Sequence, residues 1–154
     1  MKGVHFAIDS ELSNVSLIAI AVNRICLHLG LDEACAGELE LCITEAATNS
    51  IRHSYHGEPG HTVTIELTVQ PNQLCIEVSD NGTPMPAEQV HQLQDDKLSL
   101  EFQPDDRKLL AEGGRGLRII RRLMDEVSYS RVGNNNRMIM IKYLITYPMR
   151  SIVS

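Results

Sequence analysis

The chain has 154 residues, of which 43% are hydrophobic and 22% are charged, as expected for one globular domain with a buried core. The formal net charge of −6 argues against nucleic acid as the main partner, because binding to a phosphate backbone requires a basic face. No apolar run reaches the roughly 18 residues that span a bilayer, and the N-terminus turns acidic too early for a secretory signal. We therefore expect a cytoplasmic protein, a single domain over residues 1–154, with no membrane partner and no direct nucleic-acid partner.

The cysteines show neither a CxxC pair nor a matching histidine spacing for zinc. Three lie in helical patterns and one in a strand pattern, so we expect reduced, mostly buried thiols. A structural disulfide is the alternative, and an intracellular setting disfavours it. The residues are Cys26, Cys35, Cys42 and Cys75.

Hydrophobic periodicity predicts the first elements. Residues 3–8 alternate weakly and predict a strand, and apolar residues at steps of three and four predict a helix over residues 11–29. Asp9 or Ser10 can cap this helix, and Gly30 ends it.

The next elements are a second helix and a hairpin. The helix covers residues 33–54 and begins after Asp32, a capping residue. Residues 61–70 and 73–80 then alternate with period two on either side of a Pro-Asn turn, which predicts two antiparallel strands.

Residues 81–115 show no clear periodicity, and a connection of that length usually marks a lid or a binding loop. A third helix is predicted over residues 116–127, and strands over 127–132 and 137–147 close the chain. Strands and helices are grouped rather than alternating. The pattern therefore favours an α+β two-layer sandwich, in which a mixed β-sheet carries the helices on one face.

The first of three polar clusters lies in the stretch CITEAATNSIRH. Glu45 and Asn49 are four residues apart, so they share one face of the predicted helix. They could make local hydrogen bonds on a solvated face. The surrounding residues are largely apolar, however, and a half-buried carboxylate must find a partner or lose its charge.

The second cluster, VSDNGTPMP, ends a predicted strand. Asp80 supplies an acceptor at the strand end, and Gly82 permits a positive φ or a close approach to a ligand. A plain Asp-Asn-Gly turn is the alternative interpretation.

The third cluster, EGGRGL, opens a predicted helix. Its glycines let backbone amides approach a phosphate at a helix N-terminus, and Arg115 adds a cation. The alternative is a flexible hinge. The arginines that follow favour a solvated helix face: Arg118, Arg121 and Arg122.

Taken together and in this order, the clusters resemble the nucleotide-binding signature of the GHKL, or Bergerat-fold, ATPases, a superfamily that includes histidine kinases and gyrase-type topoisomerases. The resemblance covers nearly the whole chain and implies the Bergerat (histidine-kinase-like ATPase) fold. The small size and the stretch LELCITEAATNSIRHSY look like the bacterial anti-sigma-factor serine-protein kinases, which are single free-standing domains of this type.

The resemblance implies a site for ATP and Mg²⁺. Asn49 would coordinate the metal, and Glu45 would be the catalytic residue that orients or deprotonates the attacking hydroxyl of a protein serine or threonine. Asp80 would accept a hydrogen bond from the adenine amine, and Gly82 would give the ring access.

The remaining implied contacts surround the phosphates. Arg52 and His53 match the positions after the family's asparagine and would contact the nucleotide. A lid over residues 83–113 would close and bring the third motif onto the phosphates. The residues of that motif are Gly114, Arg115, Gly116 and Leu117.

The resemblance also implies partner proteins. Members of that family bind a sigma factor in one state and phosphorylate an anti-anti-sigma protein with a STAS domain in another, and they form homodimers. We therefore expect a STAS-domain substrate, a sigma factor or other regulated protein, and a homodimer to which the helix over residues 11–29 contributes apolar surface. The middle of the lid is either a partner-binding segment or a cover ordered by nucleotide, and we favour the cover.

The sequence thus predicts an ATP-dependent serine/threonine protein kinase that also sequesters a partner. One alternative is a nucleotide-gated binding switch with little or no phosphoryl transfer. Another is a detached histidine-kinase catalytic domain that phosphorylates a histidine elsewhere. Glu45 favours the kinase, because a pure binding module needs no base one helical turn from a metal ligand.

Overall fold

The computed structural model describes residues 2–94 and 114–144, and these form one five-stranded sheet packed against helices. A π-helical turn, Ser50–Ser54, continues the second helix. The elements in chain order are β1 (Lys2–Asp9), α1 (Leu12–His28), α2 (Glu33–Asn49), β2 (Thr62–Val69), β3 (Gln73–Asp80), α3 (Ala87–Gln94), α4 (Gly114–Leu123), β4 (Glu126–Val132) and β5 (Asn135–Tyr143).

The described strands have the order β1-β2-β3-β5-β4, and all neighbours are antiparallel. The prediction of a mixed sheet was therefore wrong. Two pairs, β2–β3 and β4–β5, are hairpins with short turns, which permit only antiparallel pairing. The helices α1 and α2 return the chain to the end of β1, where Ser10 N–H donates to His61 O at 2.9 Å, so β2 also runs against β1.

Among the described residues, the helices cover one face of the sheet. Along β2 and β3 every second residue is buried, and Val63, Ile65 and Leu67 are fully so. These side chains pack with the apolar faces of the helices in one hydrophobic core. The opposite face carries polar pairs such as Glu77 with Arg137, whose two hydrogen bonds are 2.7 and 2.8 Å. The prediction of a two-layer α+β arrangement with helices on one face is confirmed.

Local signals account for two helix ends. Gly30 has a φ of 91° after α1, a conformation that glycine adopts without steric cost, and Asp32 Oδ1 accepts from Cys35 N at 2.7 Å to cap α2. The predicted cap of α1 was wrong. Ser10 instead donates to Glu58 O and accepts from His61 N, which ties the turn before β2 to the end of β1.

The structure also differs in the second half of the chain. The helix α3 occupies part of a segment that showed no periodicity, and Gly114 and Arg115, which precede the predicted start of the third helix, are already helical in α4. Within the predicted lid, residues 95–113 lie outside the described residues, as does the predicted end of the last strand, residues 145–147. The four cysteines are free thiols, three of them buried, as predicted. None of the helices in the described ranges combines the length and apolar character that crossing a bilayer requires.

Candidate functional site

A cavity of about 270 Å³ lies between the end of α2, the π-helical turn, the end of β3 and the loop that follows β3. Its walls combine apolar side chains with polar groups that converge on one space, as is typical of small-molecule sites. The polar residues around it are Asn49, Ser50, Arg52, His53, Ser54, His56, Asp80, Thr83, Gln89, Tyr129 and Asn136.

Asn49, the last residue of α2, lines this cavity with an incompletely satisfied amide. Its Nδ2 is buried and has no hydrogen-bond partner in the described part of the chain. Because an unsatisfied buried amide is costly, the position suits a group that contacts a polar ligand.

Asn49 also fits the expected metal. Its carboxamide supplies an oxygen ligand, and the described residues contain no cluster of three or more His, Cys, Asp or Glu side chains that could hold a metal alone. Mg²⁺ usually takes one or two protein oxygens and completes its shell with phosphates and water. The residues present therefore fit a magnesium ion that binds together with nucleotide.

Glu45 lies one turn before Asn49 on the same helix face, about 6 Å along the axis. It packs against the first turn of α4 rather than lining the cavity. A Cβ atom at Gly116 would lie 2.5 Å from Glu45 Oε2 and 3.4 Å from its Cδ. Gly116 therefore makes room for the Glu45 carboxylate at the place where α4 meets α2.

Asp80 is 6% exposed at the end of β3 and is held by three donors. Its Oδ1 accepts from Gly82 N at 3.0 Å and from Asn136 Nδ2 at 2.8 Å, and its Oδ2 accepts from Ser54 Oγ at 2.9 Å. These bonds compensate the burial of a carboxylate and fix its orientation at the cavity wall.

Gly82 is required by packing against the π-helical turn. Its φ is not positive, but a Cβ at this position would lie 2.3 Å from Ser54 O and 2.6 Å from Ser54 C. Thr83 N–H also donates to Ser54 O at 2.9 Å. The close approach expected at Gly82 is thus an approach to backbone, and it brings the Ser54 hydroxyl to Asp80.

The π-helical turn places basic groups at the same cavity. Arg52 and His53 are exposed on this turn and line the cavity. A π-helical turn inserted at the end of an α-helix often marks a functional site, because it changes the direction of the side chains that follow. Here the basic side chains lie beside Asn49, where they can neutralise negative charge.

The four residues of the third sequence motif do not line this cavity. Gly116 contacts Glu45 as described, whereas Arg115 is exposed in the first turn of α4. Gly114 and Leu117 line a separate, much smaller cavity next to Leu93 of α3. The roles predicted for this motif stay predictions.

Four residues that build the site were not predicted from the sequence. Ser54 and Asn136 hold Asp80, and Arg131 Nη1 donates to Asn136 Oδ1 at 2.8 Å. Tyr129 forms part of the cavity wall and accepts from Met85 N at 2.8 Å. Burial raises the pKa of Tyr129, and the Met85 N–H lowers it only in part, so the phenol stays protonated at neutral pH.

Asn136 could have been found from the sequence. It alternates with two buried methionines on β5, Met138 and Met140, and is itself 2% exposed. A polar residue in the buried register of a strand indicates a group with an internal hydrogen-bond partner.

Comparison with known proteins identifies relatives of the whole domain. A family described as the histidine kinase-like ATPase domain matches residues 8–142. The chain is 31% identical over 113 residues to the serine-protein kinase RsbW of Listeria monocytogenes serotype 4a, covering 73% of this chain and 69% of that protein. It is 32% identical over 122 residues to the anti-sigma F factor of Oceanobacillus iheyensis, covering 79% of this chain and 77% of that protein.

A solved structure shows the same fold. A chain in the SiaB–SiaC complex of Pseudomonas aeruginosa aligns with a TM-score of 0.57 at 15% identity, covering 90% of this chain and 89% of the other. The resemblance drawn from the three sequence motifs is confirmed by the family match and by the two bacterial relatives. The chain belongs to the histidine kinase-like ATPase domain family.

Proposed function

We propose that this chain is a protein serine/threonine kinase that uses ATP with Mg²⁺ and regulates partner proteins by binding and phosphorylation. One observation carries the proposal: Asn49, whose Nδ2 has no hydrogen-bond partner among the described residues, and the anchored carboxylate of Asp80 line the same cavity. The family match and the names of the two relatives support it.

The Asp80 side of the cavity suits the adenine ring. Asp80 Oδ2 accepts one hydrogen bond, from Ser54 Oγ, and a carboxylate oxygen can accept a second. The exocyclic amine of adenine is a donor that matches this acceptor. Val78, Met85 and Met138 provide apolar wall for the flat base.

The Asn49 side suits the phosphates. The oxygen of Asn49 is the ligand that this chain would give to Mg²⁺, while Arg52 and His53 lie where they can pair with phosphate oxygens. Bound Mg²⁺ would neutralise charge on the phosphates. Gly114, Arg115, Gly116 and Leu117 would approach the phosphates from the start of α4.

Glu45 is the proposed catalytic base. The serine oxygen of the partner would form a bond to the γ-phosphorus, while the bond from that phosphorus to the β,γ-bridging oxygen breaks and ADP leaves with the electron pair. The hydroxyl proton passes to the Glu45 carboxylate. Gly116 supports this role, because a side chain there would displace the carboxylate from its position.

The proposed partners rest on the resemblance drawn from the sequence motifs: a STAS-domain protein as phosphoryl acceptor, and a sigma factor or similar regulator as sequestered partner. The relatives' names support a serine acceptor and a sigma factor, because one relative is called a serine-protein kinase and another an anti-sigma factor. Leu12, Leu17 and Ile20 on α1 are 45%, 67% and 52% exposed and offer apolar surface for a homodimer.

A transfer assay tests the kinase. Purified protein, labelled ATP, Mg²⁺ and a STAS-domain protein encoded nearby should give acid-stable label on serine or threonine. Glu45→Gln should remove most of the label while ATP binding remains. Glu33→Gln is the matched control, because Glu33 is an exposed residue in the first turn of the same helix.

Other outcomes of this assay would overturn the proposal. Acid-labile label would indicate phosphohistidine and a detached histidine-kinase domain. ATP binding without transfer to any acceptor would indicate a nucleotide-gated binding switch, and full transfer by Glu45→Gln would remove Glu45 from the mechanism.

A further inference from the structure

We propose that Asn136 and Arg131 are positioning residues that orient Asp80, so that the site accepts a base with an exocyclic amine and rejects one with a carbonyl in its place. The inference rests on the proposed nucleotide-binding function. Arg131 lies on β4 and Asn136 on β5, and neither belongs to the three sequence motifs. The inference is that these two residues control base selectivity.

Asn136 lies opposite Asp80 in the β3–β5 pairing and is 2% exposed. Its Nδ2 donates to Asp80 Oδ1 at 2.8 Å and to Gly82 O at 3.0 Å. Its Oδ1 accepts from Arg131 Nη1 at 2.8 Å. Both hydrogens of the amide and its oxygen are therefore engaged within the site.

Arg131 fixes which way this amide points. A guanidinium group can only donate hydrogen bonds, so the oxygen of Asn136 must face Arg131 and the NH₂ group must face Asp80. Arg131 is itself held, because Nη1 also donates to Gly82 O and Nε donates to Gly133 O, each at 3.1 Å.

The consequence is a base-recognition surface made of acceptors. The Ser54 hydroxyl, the Gly82 N–H and one hydrogen of Asn136 all point to Asp80, so each of these donors is engaged. The groups left for a ligand at Asp80 are the Asp80 Oδ2 and Ser54 Oγ lone pairs. An amine pairs with them, whereas a carbonyl oxygen would face a carboxylate with no donor between them.

Removal of Asn136 changes this selectivity for a physical reason. Asp80 would keep the donors from Gly82 and Ser54 but lose one of its three hydrogen bonds. The carboxylate could then rotate away from the orientation that three donors had fixed. A carboxylate that is no longer fixed pairs less well with the amine, so discrimination between the two kinds of base should fall.

The test compares ATP with inosine triphosphate, which carries a carbonyl where ATP carries the amine. Dissociation constants are measured by calorimetry for the wild type and for Asn136→Ala, Arg131→Ala and Arg131→Lys. The wild type should bind ATP at least about tenfold more tightly than inosine triphosphate. Both alanine variants should lose most of that ratio, and Arg131→Lys, which keeps a donor, should retain it.

Arg137→Ala is the matched control, because Arg137 lies on the opposite face of the same strand and pairs with Glu77. A selectivity ratio unchanged in both alanine variants would overturn the inference while leaving the nucleotide site intact. Absence of ATP binding by the wild type would instead overturn the proposed function. If circular dichroism shows Asn136→Ala to be unfolded, the exposed Arg131 decides the outcome through its own alanine and lysine variants.

Discussion

Gly116→Ala separates the proposed catalytic role of Glu45 from its structural role. The new methyl group would lie 2.5 Å from Glu45 Oε2, whereas ordinary contacts of a Cβ atom begin near 3.4 Å. The atom in the way is the far end of a flexible side chain. The carboxylate should therefore swing aside by roughly 1 Å while the backbone stays in place, and a displacement of this size can cost about a hundredfold in rate.

Stability should change little in this variant. Alanine is favoured over glycine in a helix by up to about 1 kcal/mol, and this gain offsets the cost of moving Glu45. Urea unfolding followed by circular dichroism should give a free energy of unfolding within about 1 kcal/mol of the wild type. Phosphoryl transfer measured under single-turnover conditions should fall by about ten- to a hundredfold.

A double-mutant cycle tests whether the loss acts through Glu45. In the Glu45→Gln background, Gly116→Ala should have little further effect on the residual transfer rate, because the base is already absent. Gly37→Ala is the control: Gly37 is exposed on α2, and a Cβ there meets no atom within 4 Å. Wild-type transfer by Gly116→Ala, or an undiminished effect in the Glu45→Gln background, would refute the reasoning.

Three further outcomes follow from packing and burial. Gly37→Ala should raise the free energy of unfolding by about 0.5–1 kcal/mol in urea titrations, through helix propensity alone, and a loss of stability would contradict its open surroundings. Gly82→Ala should destabilise the fold by several kcal/mol or prevent folding, since its Cβ would collide with the Ser54 backbone; a wild-type melting temperature would refute that contact. Burial raises the pKa of Cys26 and Cys42 from 9.0 to about 12. The unfolded chain therefore loses these protons at lower pH than the folded chain does, so stability should fall as pH rises between those values. The slope should approach about 1.4 kcal/mol per pH unit for each thiol and become shallower in Cys42→Ala, and an equal slope in that variant would exclude the thiol as the cause.

The sequence predicted the parts of the fold that local periodicity determines. The β2–β3 hairpin and both long helices follow from apolar spacing, and Gly30 and Asp32 mark helix ends through their own backbone and side-chain chemistry. The antiparallel direction of β1 was not predictable in this way. It depends on how α1 and α2 return the chain, which is a tertiary property.

In the candidate site, too, some residues were predictable from local sequence and others were not. Asn49 and Asp80 were predicted from sequence motifs, and both line the cavity. Ser54 and Arg131 were missed, because their roles depend on a π-helical turn and on the contact that Arg131 makes with Asn136 across the β4–β5 hairpin. The hydrogen bonds that these two residues make become visible only in the folded structure.

The most direct test of the nucleotide site is the affinity of the protein for ATP with Mg²⁺, measured by calorimetry for the wild type, Asp80→Asn and Glu77→Gln. Glu77 lies on β3 near Asp80 but points to the opposite face of the sheet, so both variants remove one carboxylate from the same strand. We expect wild-type affinity in Glu77→Gln and at least about tenfold weaker binding in Asp80→Asn, because a charged acceptor for the base is lost. Equal affinity in all three proteins would contradict the assignment of this cavity as the ATP site.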